Sequence, residues 1–202
     1  MKLLHQLNAH EIPLCLLFNR INHRLPLSRF FAVISRLGNG VFWYVLMLVL
    51  PLVHGLPAIL VSLHMALVGL MGVLIYKWLK TSTGRVRPYG YHNDIFQNVT
   101  ALDPFSFPSG HTLHAVGFSM VLLHYYPEWA LLVIPFTILV ALSRVILGLH
   151  YPSDVLMGIL LGAGLAWISF QPGLEVLPVD FGSSGGANAI PADAPPLHAA
   201  PF

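Results

Sequence analysis

Charge is what this chain most lacks. Lys and Arg number ten and Asp and Glu eight in 202 residues, 9% of the chain, while 56% of residues are hydrophobic. A soluble domain carries about 25% charged residues. Too few ionic side chains remain here to cover a water-facing surface, and the mean hydropathy of +0.73 agrees. The net charge of +2 is small and its basic residues are clustered, which argues against a nucleic-acid partner. The single cysteine, Cys15, excludes an internal disulfide and a thiolate metal cluster. Residues 1–10 lack the apolar core of a removable signal peptide. No repeat is visible. One domain is the natural count at this length, and its solvent is largely lipid.

What is present is a series of apolar runs. A membrane-crossing helix needs about 17–25 mostly apolar residues, and five stretches qualify or nearly so: 40–54, 57–79, 111–126, 129–149 and 153–170. The first is short, so it either tilts little or recruits residues before it. Residues 7–37 alternate Leu, Ile and Phe with Asn19, Arg20, His23, Arg24, Arg29 and Arg36. Arginines at such intervals are too costly for a lipid-facing span, so this stretch reads as one or two amphipathic helices in the interface. The expected fold is therefore all-α: a polytopic membrane helix bundle of about five transmembrane helices with an N-terminal interfacial amphipathic segment. Its parts are an interfacial segment at 1–37, a membrane domain at 38–170 and a tail at 171–202. The tail is rich in Gly, Pro and Ala and has no Lys or Arg, the composition of a disordered segment.

If the five spans alternate in direction, the ionisable groups gather on one face. That face receives Lys80 to Pro88 after the second span, Phe107 to His111 before the third, and Ser143 to Asp154 between the fourth and fifth. The opposite face has only short turns around Gly55 and Pro127, and the tail. Each polar segment suits a phosphoryl group. Lys80, Arg87 and Arg144 supply positive charge, and a guanidinium matches phosphate oxygens bidentately. Ser109 and Gly110 open a helix, where backbone N–H groups and the positive dipole end favour an anion. Asp154 follows His150 by four residues. In a helical or tight turn its carboxylate can hold one imidazole nitrogen and leave the other free to attack. His111 remains as an acid for the departing oxygen.

These segments contain K-x6-R-P at Lys80–Arg87–Pro88, P-S-G-H at residues 108–111 and S-R-x5-H-x3-D at residues 143–154, with every fixed position filled. The chain thereby resembles the type-2 phosphatidic acid phosphatase family, which shares its helical fold with vanadium-dependent haloperoxidases. The resemblance covers about residues 38–170. It implies that Lys80, Arg87, Ser109, Gly110 and Arg144 bind phosphate. It also implies that His150 becomes transiently phosphorylated, that Asp154 orients it, and that His111 is the general acid and later helps activate water. No metal and no cofactor are expected, since fixed basic groups can neutralise the phosphoryl charge. The expected partners are a lipid phosphate or diphosphate substrate and membrane lipids, with no obligatory protein partner evident.

Other residues carry weaker expectations. Arg85 either assists Arg87 or neutralises headgroups, and stays outside the catalytic set. His54, His64, His114 and His124 read as packed or interfacial, with His114 one turn beyond His111 and nearest to suspicion. Tyr89, Tyr91, His92, Asn93, Asp94 and Phe96 lie in the long connection expected to choose the headgroup. Within the phosphatase class an isoprenoid diphosphate such as undecaprenyl diphosphate is the preferred substrate, with phosphatidate-type lipids beside it. Alternatives are a phosphotransferase passing phosphate to another lipid, and a non-catalytic scaffold or transporter. Sidedness is contested. All ten Lys and Arg lie at the N-terminus or on the active-site face, which by the positive-inside rule is cytoplasmic. The resemblance instead implies a bacterial inner membrane with the site on the periplasmic side.

Overall fold

The computed structural model describes residues 2–171, with side chains from residue 6 onward. The tail expected to be disordered lies, from residue 172, outside the described residues.

The described residues fold into eight α-helices. Helix α1 (Lys2–Asn22) and α2 (Leu25–Arg36) come first, with Pro26 in the first turn of α2, where its missing N–H costs nothing. A π-helical turn, Leu37–Val41, then leads directly into α3 (Phe42–His54). The path Leu25–His54 is long and apolar enough to cross a membrane. This candidate span takes in residues before 40, and residue 38 lies inside it. Ser28, Ala32 and Ser35, spaced along one stripe of α2, are buried on the face that packs against α7. Arg29 and Arg36 stay on the exposed side, a placement that suits the polar interface and not the lipid core.

Helix α4 (Ala58–Thr83) has 26 residues, about 39 Å of helix, and carries Lys80 in its last turn. Gly84 ends it in the left-handed conformation (φ 58°), with its N–H bonded to the Lys80 carbonyl. A one-turn helix α5 (Pro88–Tyr91) follows, then a long connection to α6 (Gly110–Tyr125). Helix α7 (Ala130–Ile146) and α8 (Pro152–Ser169) complete the bundle. Together with Leu25–His54, three further segments have the length and hydropathy of a span: α4, Pro127–Ile146 and α8. Helix α6, at 16 residues, is shorter and lies at the centre, packed against α4, α7 and α8.

Two close approaches fix that centre. Gly158 and Gly162 on α8 face the backbone of α6: a Cβ at Gly158 would stand 2.7 Å from the Ser109 carbonyl oxygen, and one at Gly162 would overlap that of Leu113. With Ala166 they form a small-residue stripe at spacing four, which lets helices meet without a layer of side chains between them. The apolar core (Trp43, Leu50, Met65, Phe118, Leu122, Val133, Phe136, Val140) lies beside this contact. Leu48, Leu52, Leu131 and Trp167 point outward, as a lipid-facing surface requires.

Spans alternate in direction, so the end of α4, the start of α6, the end of α7 and the start of α8 converge, as the sequence predicts. The opposite end holds packed histidines. His64 lies between Tyr125 and Ser169, His54 stacks on Tyr126 and accepts from Trp129 Nε1, and His124 stacks on Phe170.

Candidate active site

At the convergent ends a cavity of 380 Å³ is lined by Lys80, Arg87, Asp103, Gly110, His111, Arg144 and His150. It continues between α3 and α4 along Trp43, Met47, Leu70 and Val73. One wall is charged and the other apolar.

His150 sits in the tight turn joining α7 to α8, where Gly148 takes φ 71° and the His150 N–H reaches the Arg144 carbonyl. Its side chain is 1% exposed. Nδ1 faces Asp154 Oδ2 at 3.5 Å, too far for a good hydrogen bond, and has no hydrogen-bond partner, while Nε2 lies 3.2 Å from Arg87 Nη1. With the proton on Nδ1, facing the carboxylate, the Nε2 lone pair is turned toward the basic cavity. Burial, with Arg87, Arg144 and Lys80 close by, holds this imidazole well below its ordinary range, so it stays neutral.

Asp154 is fully buried in the first turn of α8. Its Oδ2 accepts from the Tyr151 N–H at 2.8 Å and from the Ser106 hydroxyl, and its Oδ1 from Arg85 Nη1 at 2.6 Å. Arg85 therefore neither assists Arg87 nor meets headgroups: it is 0% exposed and points away from the cavity, behind Asp154. The Val86–Phe105 bridge and the Ser106 N–H bond to the Arg85 carbonyl turn it that way.

The three predicted cations do converge. Arg144 is 3% exposed; Nη1 donates to Ser35 Oγ on α2, and Nε has no partner. Arg87 donates to the Leu149 carbonyl at 2.7 Å and the Asp103 carbonyl at 3.0 Å. Lys80 Nζ reaches both Asp103 carboxylate oxygens at 2.8 Å, and Arg87 Nη2 reaches Oδ1 at 3.1 Å. Asp103, which the sequence reading passed over, is thus a counter-anion for two of the three. Burial works to raise its carboxyl, but Lys80 and Arg87 outweigh that and hold it below the usual carboxylate range.

Ser109 and Gly110 open α6 as expected, with no side chain capping the helix. The Ser109 N–H itself donates to the Asp154 carbonyl at 3.0 Å and its hydroxyl pairs with Thr112. The free amides at this terminus therefore begin with Gly110. His111 Nε2 donates to Asn39 Oδ1, a second residue the sequence reading missed. Asn39 reaches it because the π-helical turn at Gly38-Asn39-Gly40 swings the chain inward. Gly38 packs against Val140, and Gly40 takes φ 125°. His114 lines the cavity but is held by the Gly110 and Gly69 carbonyls.

The long connection corrects another expectation. Residues 89–96 do not line the cavity; Asn19 and Asn22 of α1 tie down Phe96, and Ile95 is buried with Ile12 and Cys15. Only Leu102 and Asp103 from this loop face the site.

Residues 57–173 match the family model of the PAP2 superfamily. An undecaprenyl-diphosphatase from Sulfolobus acidocaldarius is 28% identical over 158 residues, 77% of this chain and 76% of the relative. A lipid A 1-phosphatase from Rhizobium johnstonii is 33% identical over 103 residues, 48% of this chain but only 40% of that protein. The crystal structure of a transmembrane PAP2-type phosphatidylglycerolphosphate phosphatase from Bacillus subtilis superposes with a TM-score of 0.63 at 25% identity. It covers 83% of this chain and 85% of that one. With its match over more than half its length, its helical membrane fold and its cationic site, this chain belongs to the PAP2 superfamily and is a membrane lipid phosphatase of that type.

Proposed function

We propose that the chain hydrolyses the terminal phosphate of an isoprenoid diphosphate through a phosphohistidine on His150. The observation that carries this is the cavity itself, in which His150 Nε2 and His111 share a basic chamber that opens between α3 and α4. The phosphate sits among Lys80, Arg87, Arg144 and the amide end of α6 at Gly110; Ser109 sets the start of that helix. His150 Nε2 attacks phosphorus, the bond from phosphorus to the bridging oxygen breaks, and His111 protonates that oxygen as the lipid monophosphate leaves. Asp154 stabilises the positive charge that develops on the imidazole ring. Water, deprotonated by His111, then attacks the phosphohistidine; its P–N bond breaks and inorganic phosphate is released.

The preference for an isoprenoid lipid is supported by the apolar wall and by the Sulfolobus relative, which is named for undecaprenyl diphosphate and matched over most of its length. The site belongs on the outer face of a bacterial plasma membrane, where a diphosphate carrier is spent. In detergent with EDTA, purified protein is expected to release phosphate from isoprenoid diphosphates faster than from phosphatidate or phosphatidylglycerol phosphate. His150→Ala is expected to release none. Full activity in that variant sinks the nucleophile assignment, and preference for a glycerolipid sinks the substrate. A reporter fused to the C-terminus and active only in the cytoplasm tests the side, because α8 ends opposite the site.

A further inference from the structure

Arg85 lies between two carboxylates. Nη1 binds Asp154 Oδ1 at 2.6 Å, Nη2 binds Glu11 Oε2 at 2.6 Å, and Nε donates to Asn8 at 2.9 Å. Its guanidinium carbon lies 4.0 Å from the centroid of the Tyr151 ring. Glu11 in turn accepts from the Ser153 N–H at 2.8 Å and its hydroxyl at 2.7 Å, in the first turn of α8. Glu11 and Asn8 belong to α1, ahead of the family match that begins at residue 57. A guanidinium bonded to Asp154 alone would cancel the charge on which His150 depends. Adding Glu11 leaves the trio with one net negative charge beside the imidazole.

We propose that Arg85 and Glu11 are positioning residues for the reaction: Arg85 fixes the Asp154 carboxylate, and Glu11 offsets Arg85 so that Asp154 still acts as an anion toward His150. This rests on His150 being the nucleophile. It gives α1 a share in the chemistry without contact with the substrate.

The other charged or titratable groups around His150 are Lys80 from α4, Arg87 ahead of α5, Asp103 from the long connection, His111 from α6 and Arg144 from α7. All remain in the variants that follow, so a shift reports the relay. Glu11→Gln keeps the shape and removes one negative charge. Imidazolium becomes harder to form, so the acid limb of kcat/KM moves to lower pH. The shift is about one unit for a charge roughly 10 Å away at an effective dielectric of about 20. The rate falls about 10- to 100-fold, the usual loss when an outer partner of a site residue goes. Arg85→Lys is expected to recover part of what Arg85→Met loses.

The measurement is phosphate release in detergent across pH for these variants, with His150→Ala alongside. A wild-type rate and profile in Glu11→Gln, or a lower rate with an unmoved acid limb, overturns the proposal. If Arg85→Met does not fold, Glu11→Gln still decides. Should His150→Ala remain active, the nucleophile reading fails instead, and the two failures are told apart.

Discussion

Asp103→Asn addresses what the cations do before substrate arrives. The Asp103 carboxylate takes both Lys80 contacts at 2.8 Å and one from Arg87 at 3.1 Å, positions a phosphate would need. Its side chain is 34% exposed, so these bonds are worth less than the full value of buried charge-assisted ones. After discounting for solvent screening, about 1–2 kcal/mol is a fair figure. An incoming anion must displace that interaction, and neutralising the carboxylate returns it, about 5- to 30-fold in affinity. The assay is vanadate inhibition of phosphate release near neutral pH. The inhibition constant is expected to fall by that factor and KM to fall with it. Unchanged or weaker vanadate binding would refute the reasoning and make Asp103 a prop for the two cations. The pair has a pH signature too. Because the folded-state carboxyl is lowered, its stabilisation is present above the unfolded value of about 3.9 and is lost as pH falls through the lowered one. Melting curves of the wild type and Asp103→Asn should therefore converge below pH 4.

Three further outcomes follow from single contacts. Asn39→Ala removes the acceptor that orients His111, so hydrolysis of lipid phosphates should slow about 10- to 100-fold. Turnover of p-nitrophenyl phosphate, whose leaving group needs no proton, should change little; equal losses on both would show that Asn39 does not act through the acid. Arg144→Lys keeps the charge but gives up the planar fork that spans Ser35 and the cavity. Its kcat/KM should drop about 100-fold, and near-wild-type activity would mean that only charge counts there. Gly162→Ala drives a methyl into the α6 backbone, costing about 1–3 kcal/mol in thermal melts. Gly164→Ala, with nothing within 4 Å, should cost nothing, and equal melting temperatures would contradict the close α6–α8 contact.

What the sequence disclosed depended on whether a residue's chemistry was local. Lys80, Arg87, His111, Arg144 and His150 lie next to helix ends that hydropathy marks, so alternating spans suffice to bring them together. The small-residue stripe Gly158–Gly162–Ala166 was equally local and went unread, because glycines in an apolar run look like permissive filler until the partner backbone is seen. Asn39, Asp103, Arg85 and Glu11 are different in kind. Each acts on a residue at least 16 positions away, through a π-helical turn, a loop or a first helix whose placement no periodicity reports. One signal did point to the three charged ones, Asp103, Arg85 and Glu11. Before residue 172 the acidic residues are only Glu11, Asp94, Asp103, Glu128 and Asp154. In a chain so poor in carboxylates, each one near a membrane needs a cation to offset it. Three of the five lie around the site: Asp103 pairs with Lys80 and Arg87, while Glu11 and Asp154 share Arg85. Arg85, for which the sequence offers only assistance to Arg87 or neutralisation of headgroups, is assigned by asking which carboxylates would otherwise be left alone. Where charge is rare, pairing opposite charges across the chain is a stronger constraint than the position of any single one.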